Sequence, residues 1–215
     1  MSAPPGARPS PSAGASLSPP PGARLSPRLI LASASPQRRA ALERLGLAFE
    51  VHPSEVAELE HGIAEEVALE NALRKARAVR AARPNGAAEA VLGVDTLVTL
   101  GGVIYGKPSD EAHARSTLRA LSGATHRVLS GVALLRGGEE HTALACTEVS
   151  FRELSDELLS WYVARGEWRQ RSGGYAIQGA AAALVRAVRG DYENVVGLPL
   201  ATLFDLDPEL LNELT

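Results

Sequence analysis

Hydrophobic positions fall into short β-branched runs alternating with stretches of helical period. Residues 28–32, RLILA, form an apolar run of strand length, followed by SASP and then QRRAALERL. That second segment ends at Gly46, a residue suited to a left-handed helix cap. Ser35 stands at a natural N-cap position and Pro36 at the first helical position. LAFEVHP, 47–53, reads as a second strand. Across 63–82, Ile63, Val67, Leu73, Ala76 and Val79 lie near one stripe, which predicts a long helix. ARPNG then breaks the chain.

Residues 90–108, AVLGVDTLVTL, GG and VIYGKP, are apolar and β-branched around Gly101-Gly102, the signature of a two-residue hairpin. Ser109 is placed to cap a helix ending near Gly123. THRVLSGVALL (125–135) and TALACTEVSF (142–151) read as strands paired around Gly137-Gly138. DELLSWYVARGEW starts as helix, and GGYAIQGAAAALVRAV leads through RGDYENVV to a last helix near 199–214. Helices interleaved with strands, some joined by hairpins, predict an α/β fold with a mixed sheet.

Residues 1–28 depart from this pattern. They consist largely of Pro, Ser, Ala, Gly and Arg, carry no acid, and read as a disordered tail ahead of one domain at 29–215. They lack the apolar centre of a secretory signal. The tail holds Arg8, Arg24 and Arg28, so the formal charge of −3 understates how acidic the body is. That balance argues against a general nucleic-acid surface, though not against a local basic pocket for a phosphorylated molecule. No apolar run approaches the length of a membrane span. The single cysteine, Cys146, rules out an intrachain disulfide and fits a reducing cytoplasm.

Several residues resist a purely structural account. Asp95 interrupts VLGVDTLVTL, where an unpaired carboxylate would be costly; it either caps a turn at a strand end or pairs with a partner or a metal. With the hairpin centred on Gly101-Gly102, Lys107 is expected close to Asp95 across the ladder. Glu58, in HPSEVAELEHG, reads by itself as a solvated loop acid, and Lys75, beside Arg74, Arg77 and Arg80, as part of a solvated basic face. LASASPQRR, 31–39, puts two arginines where a helix dipole disfavours them. Either both side chains reach into water, or an anion binds the strand–loop–helix junction. The spacing is neither that of a P-loop nor GxGxxG.

Together LASASPQRR, the Lys75 helix, LGVDTLV (92–98), YGKP (105–108), LSGATHRV (121–128), TEVSF (147–151), GGYAIQG (173–179) and NVVGLPL (194–200) resemble the Maf family of nucleoside triphosphate pyrophosphatases. The resemblance runs from about residue 29 to the C-terminus. It implies an elongated mixed β-sheet with flanking helices, in two lobes around a deep cleft, related to inosine triphosphate pyrophosphatases. It also implies attack of water on the α-phosphorus of a nucleoside triphosphate, releasing the monophosphate and pyrophosphate. The implied cofactor is a divalent cation, magnesium first and manganese second. A nucleoside triphosphate is the expected partner, with no nucleic acid and no membrane, and a homodimer is left open.

By the same resemblance, Asp95 matches the catalytic aspartate and Glu58 an acid near the metal and phosphates, with Asp95 as base or metal ligand. Ser33, Ser35, Arg38, Lys75 and Lys107 match the phosphate-facing set, while Arg39 points away. Thr96 and Gln178 match positions tied to the choice of base and fit the dTTP/UTP subgroup. Gln37 departs from it, standing where that subgroup commonly has arginine. The competing readings are a broader or different base preference (CTP, modified nucleotides, ITP or XTP) and a nucleotide-binding regulator of cell division with little turnover.

Overall fold

The computed structural model describes residues 29–83 and 89–214. The tail expected at 1–28 and most of the ARPNG break lie outside the described residues. The chain begins with a strand–helix–strand unit: β1 (Leu29–Leu31), α1 (Pro36–Arg44) and β2 (Phe49–Val51), with β1 and β2 parallel. α2 (Ala64–Ala82) then returns the chain to β3 (Ala90–Leu100), parallel to β1 on its other side. Gly101 and Gly102, at φ 59° and 82°, close the tight turn to β4 (Val103–Tyr105). After α3 (Glu111–Leu121), the long strands β5 (Thr125–Arg136) and β6 (Glu139–Phe151) pair antiparallel. α4 (Asp156–Ala164), β7 (Val185–Arg189), α5 (Tyr192–Val196) and α6 (Leu200–Leu206) complete the chain. The sheet is mixed, with strand order β2-β1-β3-β5-β6-β7 and β4 on β3. No helix among the described residues is long and apolar enough to cross a membrane.

Strand alternation sends side chains to two faces. Leu29 and Leu31 pack with Ala41 and Leu42 of α1, whereas Ile30 and Ala32 pack with Ala72 and Ala76 of α2. The helices therefore cover opposite faces of β1. Along β3 and β5 the core also divides lengthwise. Ala90, Leu92, Val94, Val132 and Leu134 join the α1 and α6 cluster, while Val98 and Val128 join the α3 and α4 cluster. Between the two clusters, β1 has ended at Leu92 of β3 and β4 begins pairing only at Val98. The outer edge of β3 at residues 94–97 is left without a strand partner, and a cleft opens against it.

α2 lies unusually close to the sheet. A Cβ on Gly93 would come within 2.1 Å of the Ala72 carbonyl oxygen, and one on Gly131 within 2.1 Å of that of Ala68. Only glycine fits at both positions. This approach brings the inner face of α2 down to β3.

Local expectations shift in five places. Ser35 holds the N-cap position of α1, but its hydroxyl donates to Gln37 Oε1 at 3.2 Å and makes no cap. The buried stripe of α2 is Ala64, Val67, Ala68, Ala72, Ala76 and Val79, with Asn71 and Lys75 among them, whereas Ile63 lies outside the helix and is exposed. Close approach selects the small side chains. α3 is capped by Asp110, which accepts from the His113 amide at 2.8 Å, and not by Ser109. The last helix is broken: α6 stops at Leu206, and Pro208 opens a separate 3-10 segment, Pro208–Glu213. β7, unforeseen in the sequence, adds to β6 through a register shift at Ser150/Phe151.

Candidate active site

A cleft of about 510 Å³ gathers Ser33, Ser35, Gln37, Arg38, Glu58, Lys75, Asp95, Thr96, Lys107 and Gln178 along its lining. Its position follows from the sheet. Residues after the carboxyl end of β1 form one wall, the open edge of β3 the floor, and the segment 170–178 the other wall.

Asp95 points toward α2, opposite Gly131 in the β3–β5 ladder, and is 4% exposed. Its Oδ1 accepts from Lys75 Nζ at 2.6 Å and its Oδ2 from Asn71 Nδ2 at 3.0 Å. Lys75 Nζ also donates to Glu58 Oε1 at 2.6 Å, and Lys107 Nζ donates to Glu58 Oε2 at 2.8 Å. A charge chain thus runs Asp95–Lys75–Glu58–Lys107. Burial pushes the Glu58 carboxyl upward, but the Lys75 charge and the bonds from both lysines outweigh it and hold the group at about 2. Asn71 ties Asp95 to the backbone beside Glu58: it bonds the Leu59 amide at 2.7 Å and carbonyl at 3.0 Å while holding Asp95.

This network revises two expectations. Lys75 is buried and not part of a solvated basic face, while Glu58, an exposed loop acid as expected, is tied to two lysines. Asp95 pairs with Lys75 and not with Lys107, because the β4 ladder ends at Tyr105, two residues before Lys107. Lys107 instead reaches Glu58 from beyond the strand.

On the other face of β3, Arg38 is buried and bonded only to neutral oxygens. Its Nε donates to the Gly197 carbonyl at 2.9 Å, Nη1 to Ser33 Oγ at 2.9 Å and Nη2 to Thr96 Oγ1 at 3.1 Å. Burial lowers its proton affinity, against the more distant pull of Asp95 and Glu58. Three of five guanidinium donors are used, and two remain. Thr96 Oγ1 is also bonded to Ser130 Oγ at 2.9 Å, and Ser33 Oγ accepts from the Ser35 amide at 3.2 Å. Arg39 pairs with Glu43 at 2.7 Å on the exposed side of α1.

Gln178 is exposed in the cleft, and its segment is pinned on both flanks. The Ala176 amide donates to the Tyr162 hydroxyl at 3.1 Å and the Ala180 amide to Glu167 Oε2 at 2.7 Å. Tyr175 packs edge-on to His126 and Phe151, with its hydroxyl 2.8 Å from His126 Nε2. Burial alone pulls His126 down to about 4.

Sequence reasoning passed over Asn71, Ser130, Arg171 and Ser172. Asn71 had a signal, since it lies four residues before Lys75 and so on the same face of the helix. Ser172 had none: its hydroxyl bonds the Thr96 carbonyl at 2.7 Å across 76 residues of sequence. Among the described residues no group of three or more His, Cys, Asp and Glu side chains is arranged to hold a metal ion.

Residues 28–209 match the Maf family, described as Maf-like protein. A protein from Symbiobacterium thermophilum named dTTP/UTP pyrophosphatase is 48% identical over 177 residues, covering 80% of this chain and 89% of its own. A protein of the same name from Thermococcus gammatolerans is 46% identical over 178 residues, 83% of this chain and 94% of its own. A solved nucleoside-triphosphatase / dITP/XTP pyrophosphatase from Mycobacterium abscessus is 23% identical with a TM-score of 0.40, covering 57% of this chain and 73% of that one.

Proposed function

The chain belongs to the Maf family, and from that membership we propose that it hydrolyses nucleoside triphosphates at the α-phosphorus, releasing nucleoside monophosphate and pyrophosphate, with dTTP and UTP preferred. The observation that carries this reading is Arg38: a permanently charged group buried beside a cleft with no acid bonded to it. A desolvated cation without a counter-ion is costly, and a polyphosphate supplies the missing charge. Ser33 and Thr96 hold the guanidinium in place, and Ser35, Lys75 and Lys107 complete the phosphate-facing set.

Asp95 is the base. Each of its oxygens is engaged by one donor, which leaves a lone pair on each. One lone pair takes the proton of an attacking water. The water oxygen bonds to the α-phosphorus, the bridging α–β P–O bond breaks, and pyrophosphate leaves with the electron pair. Lys75, bonded to both Asp95 and Glu58, holds the base in orientation.

The donor chemistry suits a hard divalent cation, magnesium or manganese. Two carboxylates, Glu58 and Asp95, line a cleft whose ligand would bring further oxygens, and magnesium is commonly held by one or two carboxylates plus substrate phosphates. When bound, the ion supplies charge neutralisation at the phosphate oxygens. Gln178 carries a donor and an acceptor suited to the carbonyl and N–H edge of uracil or thymine. Gln37 lacks the charge and fork of arginine, so the margin over CTP is narrow. The single thiol suits a cytoplasmic enzyme.

The test is pyrophosphate release by the purified chain with Mg²⁺ over dTTP, UTP, CTP, ITP and XTP. The expected order places dTTP and UTP first in kcat/KM, with Asp95→Asn folded but slower by about 10²–10⁴-fold in kcat. Binding without pyrophosphate release from any of these overturns the enzyme reading. An Asp95→Asn kcat above a tenth of wild type overturns the role of Asp95.

A further inference from the structure

Arg171 also lines the cleft, yet it takes no part in the networks above. Its Nε is shut off from solvent and has no hydrogen-bond partner, and among the described residues its side chain makes no ion pair. The nearby carboxylate of Glu167 accepts from the Ala180 amide and pulls on Arg171 only at longer range. Burial lowers the proton affinity of the guanidinium, as it does for Arg38.

The backbone holds Arg171 firmly in this position. Its amide donates to the Trp168 carbonyl at 3.3 Å and its carbonyl accepts from the Gly174 amide at 3.0 Å. Immediately before it, Gln170 adopts φ 59°, a left-handed conformation unusual outside glycine. Immediately after it, Ser172 ties the loop to the Thr96 carbonyl, one residue from Asp95. Gly173 donates to the Gly106 carbonyl at 3.0 Å, next to Lys107. The loop therefore places a cation against the floor of the cleft from the side of the second core cluster, whereas Arg38 comes from the first. Lys75 and Lys107 are bonded to acids; Arg38 and Arg171 are not.

We propose that Arg171 is a second phosphate-binding residue, its guanidinium bonding phosphate oxygens of the triphosphate from the side facing Arg38. This rests on the reading of the cleft as a triphosphate site. The two arginines grip the polyphosphate from the two halves of the fold, and the anion answers a guanidinium charge that no bonded acid meets.

Calorimetric binding of inorganic pyrophosphate and of dTTP, without turnover as the readout, tests the assignment. Arg171→Gln is expected to weaken both by about tenfold, the effect of one lost charge-assisted contact, with the thermal midpoint unchanged. Arg171→Met, which keeps the apolar stem, gives the same loss if Gln disturbs the loop. Arg169→Gln, on the exposed residue stacked 4.6 Å over the Trp168 ring, serves as the control and binds like wild type. Pyrophosphate affinity within twofold of wild type in either folded Arg171 variant overturns the assignment and leaves the cleft reading standing. A wild-type chain that binds neither pyrophosphate nor dTTP overturns both.

Discussion

Arg38 and Lys75 are both buried, at 8% and 6% exposure, and both face the same cleft, yet their charges are handled differently. Lys75 lies between Asp95 and Glu58 at 2.6 Å from each, so its charge is answered within the protein. Arg38 has three neutral acceptors and no bonded acid. One cation organises the carboxylates; the other leaves its charge unanswered at the cleft. His126 shows the third outcome for a buried basic group. Able to shed its proton, and with no acid beside it, it stays neutral. Arginine cannot escape in this way, which is why its burial beside a cleft is informative.

The contrast breaks most directly by replacing each cation with an apolar isostere. Lys75→Met leaves two carboxylates side by side without their shared counter-charge and is expected to cost about 3 kcal/mol of stability in urea unfolding. Arg38→Met removes an unanswered charge along with three hydrogen bonds, so its net cost stays within about 1 kcal/mol, while dTTP binding is lost. Equal stability losses in the two variants would erase the distinction.

His126 sharpens it through pH. The folded group titrates near 4, below the ordinary 6.5, so the unfolded chain binds the proton more readily. Its stability contribution is complete above pH 6.5 and is lost as pH falls toward 4. Between pH 7 and pH 5 the wild type should lose about 2 kcal/mol more than His126→Phe does. Parallel stability–pH curves would mean that His126 binds its proton as readily in the fold as in the unfolded chain.

The smallest effect concerns Gln37, the residue before Arg38 on the wall without acids. Gln37→Arg adds a second fork there and should raise the UTP-to-CTP ratio of kcat/KM by about threefold, the scale of one net hydrogen bond. An unchanged ratio means that position 37 does not read the base.

Local rules pointed to Asp95 as an acid inside an apolar run, to Lys107 across the turn and to the strand–loop–helix junction that carries Ser33, Ser35 and Arg38. Gln37, Glu58, Lys75, Thr96 and Gln178 were legible only through the family resemblance. The wiring was not legible. Counting across the 101–102 turn correctly pairs Val98 with Tyr105 and Leu100 with Val103, but it cannot say that pairing ends there. Lys107 was therefore given to Asp95 when it belongs to Glu58. Likewise, the stripe drawn through Ile63 and Leu73 followed bulk, whereas the true inner face of α2 was set by how near the helix comes to the sheet. Asn71 and Lys75 face inward because alanines on either side let them, and composition alone reads such polar residues as surface. Contacts between distant segments, such as Ser172 with Thr96, leave no local mark.

That nearness of α2 has a consequence for anyone redesigning the protein. Gly93 and Gly131 leave no room for even a methyl group against the carbonyls of Ala72 and Ala68. The separation between Lys75 and Asp95 is thus fixed by backbone resting on backbone, with no side chain in between to trim or enlarge. The wall bearing Gln178 can be recut to admit another base, since that side chain is exposed in the cleft, whereas Thr96 is tied to Arg38 and Ser130. The spacing that holds the acid and its lysine offers no such handle, so substrate scope can be altered while the acid–lysine geometry stays as it is.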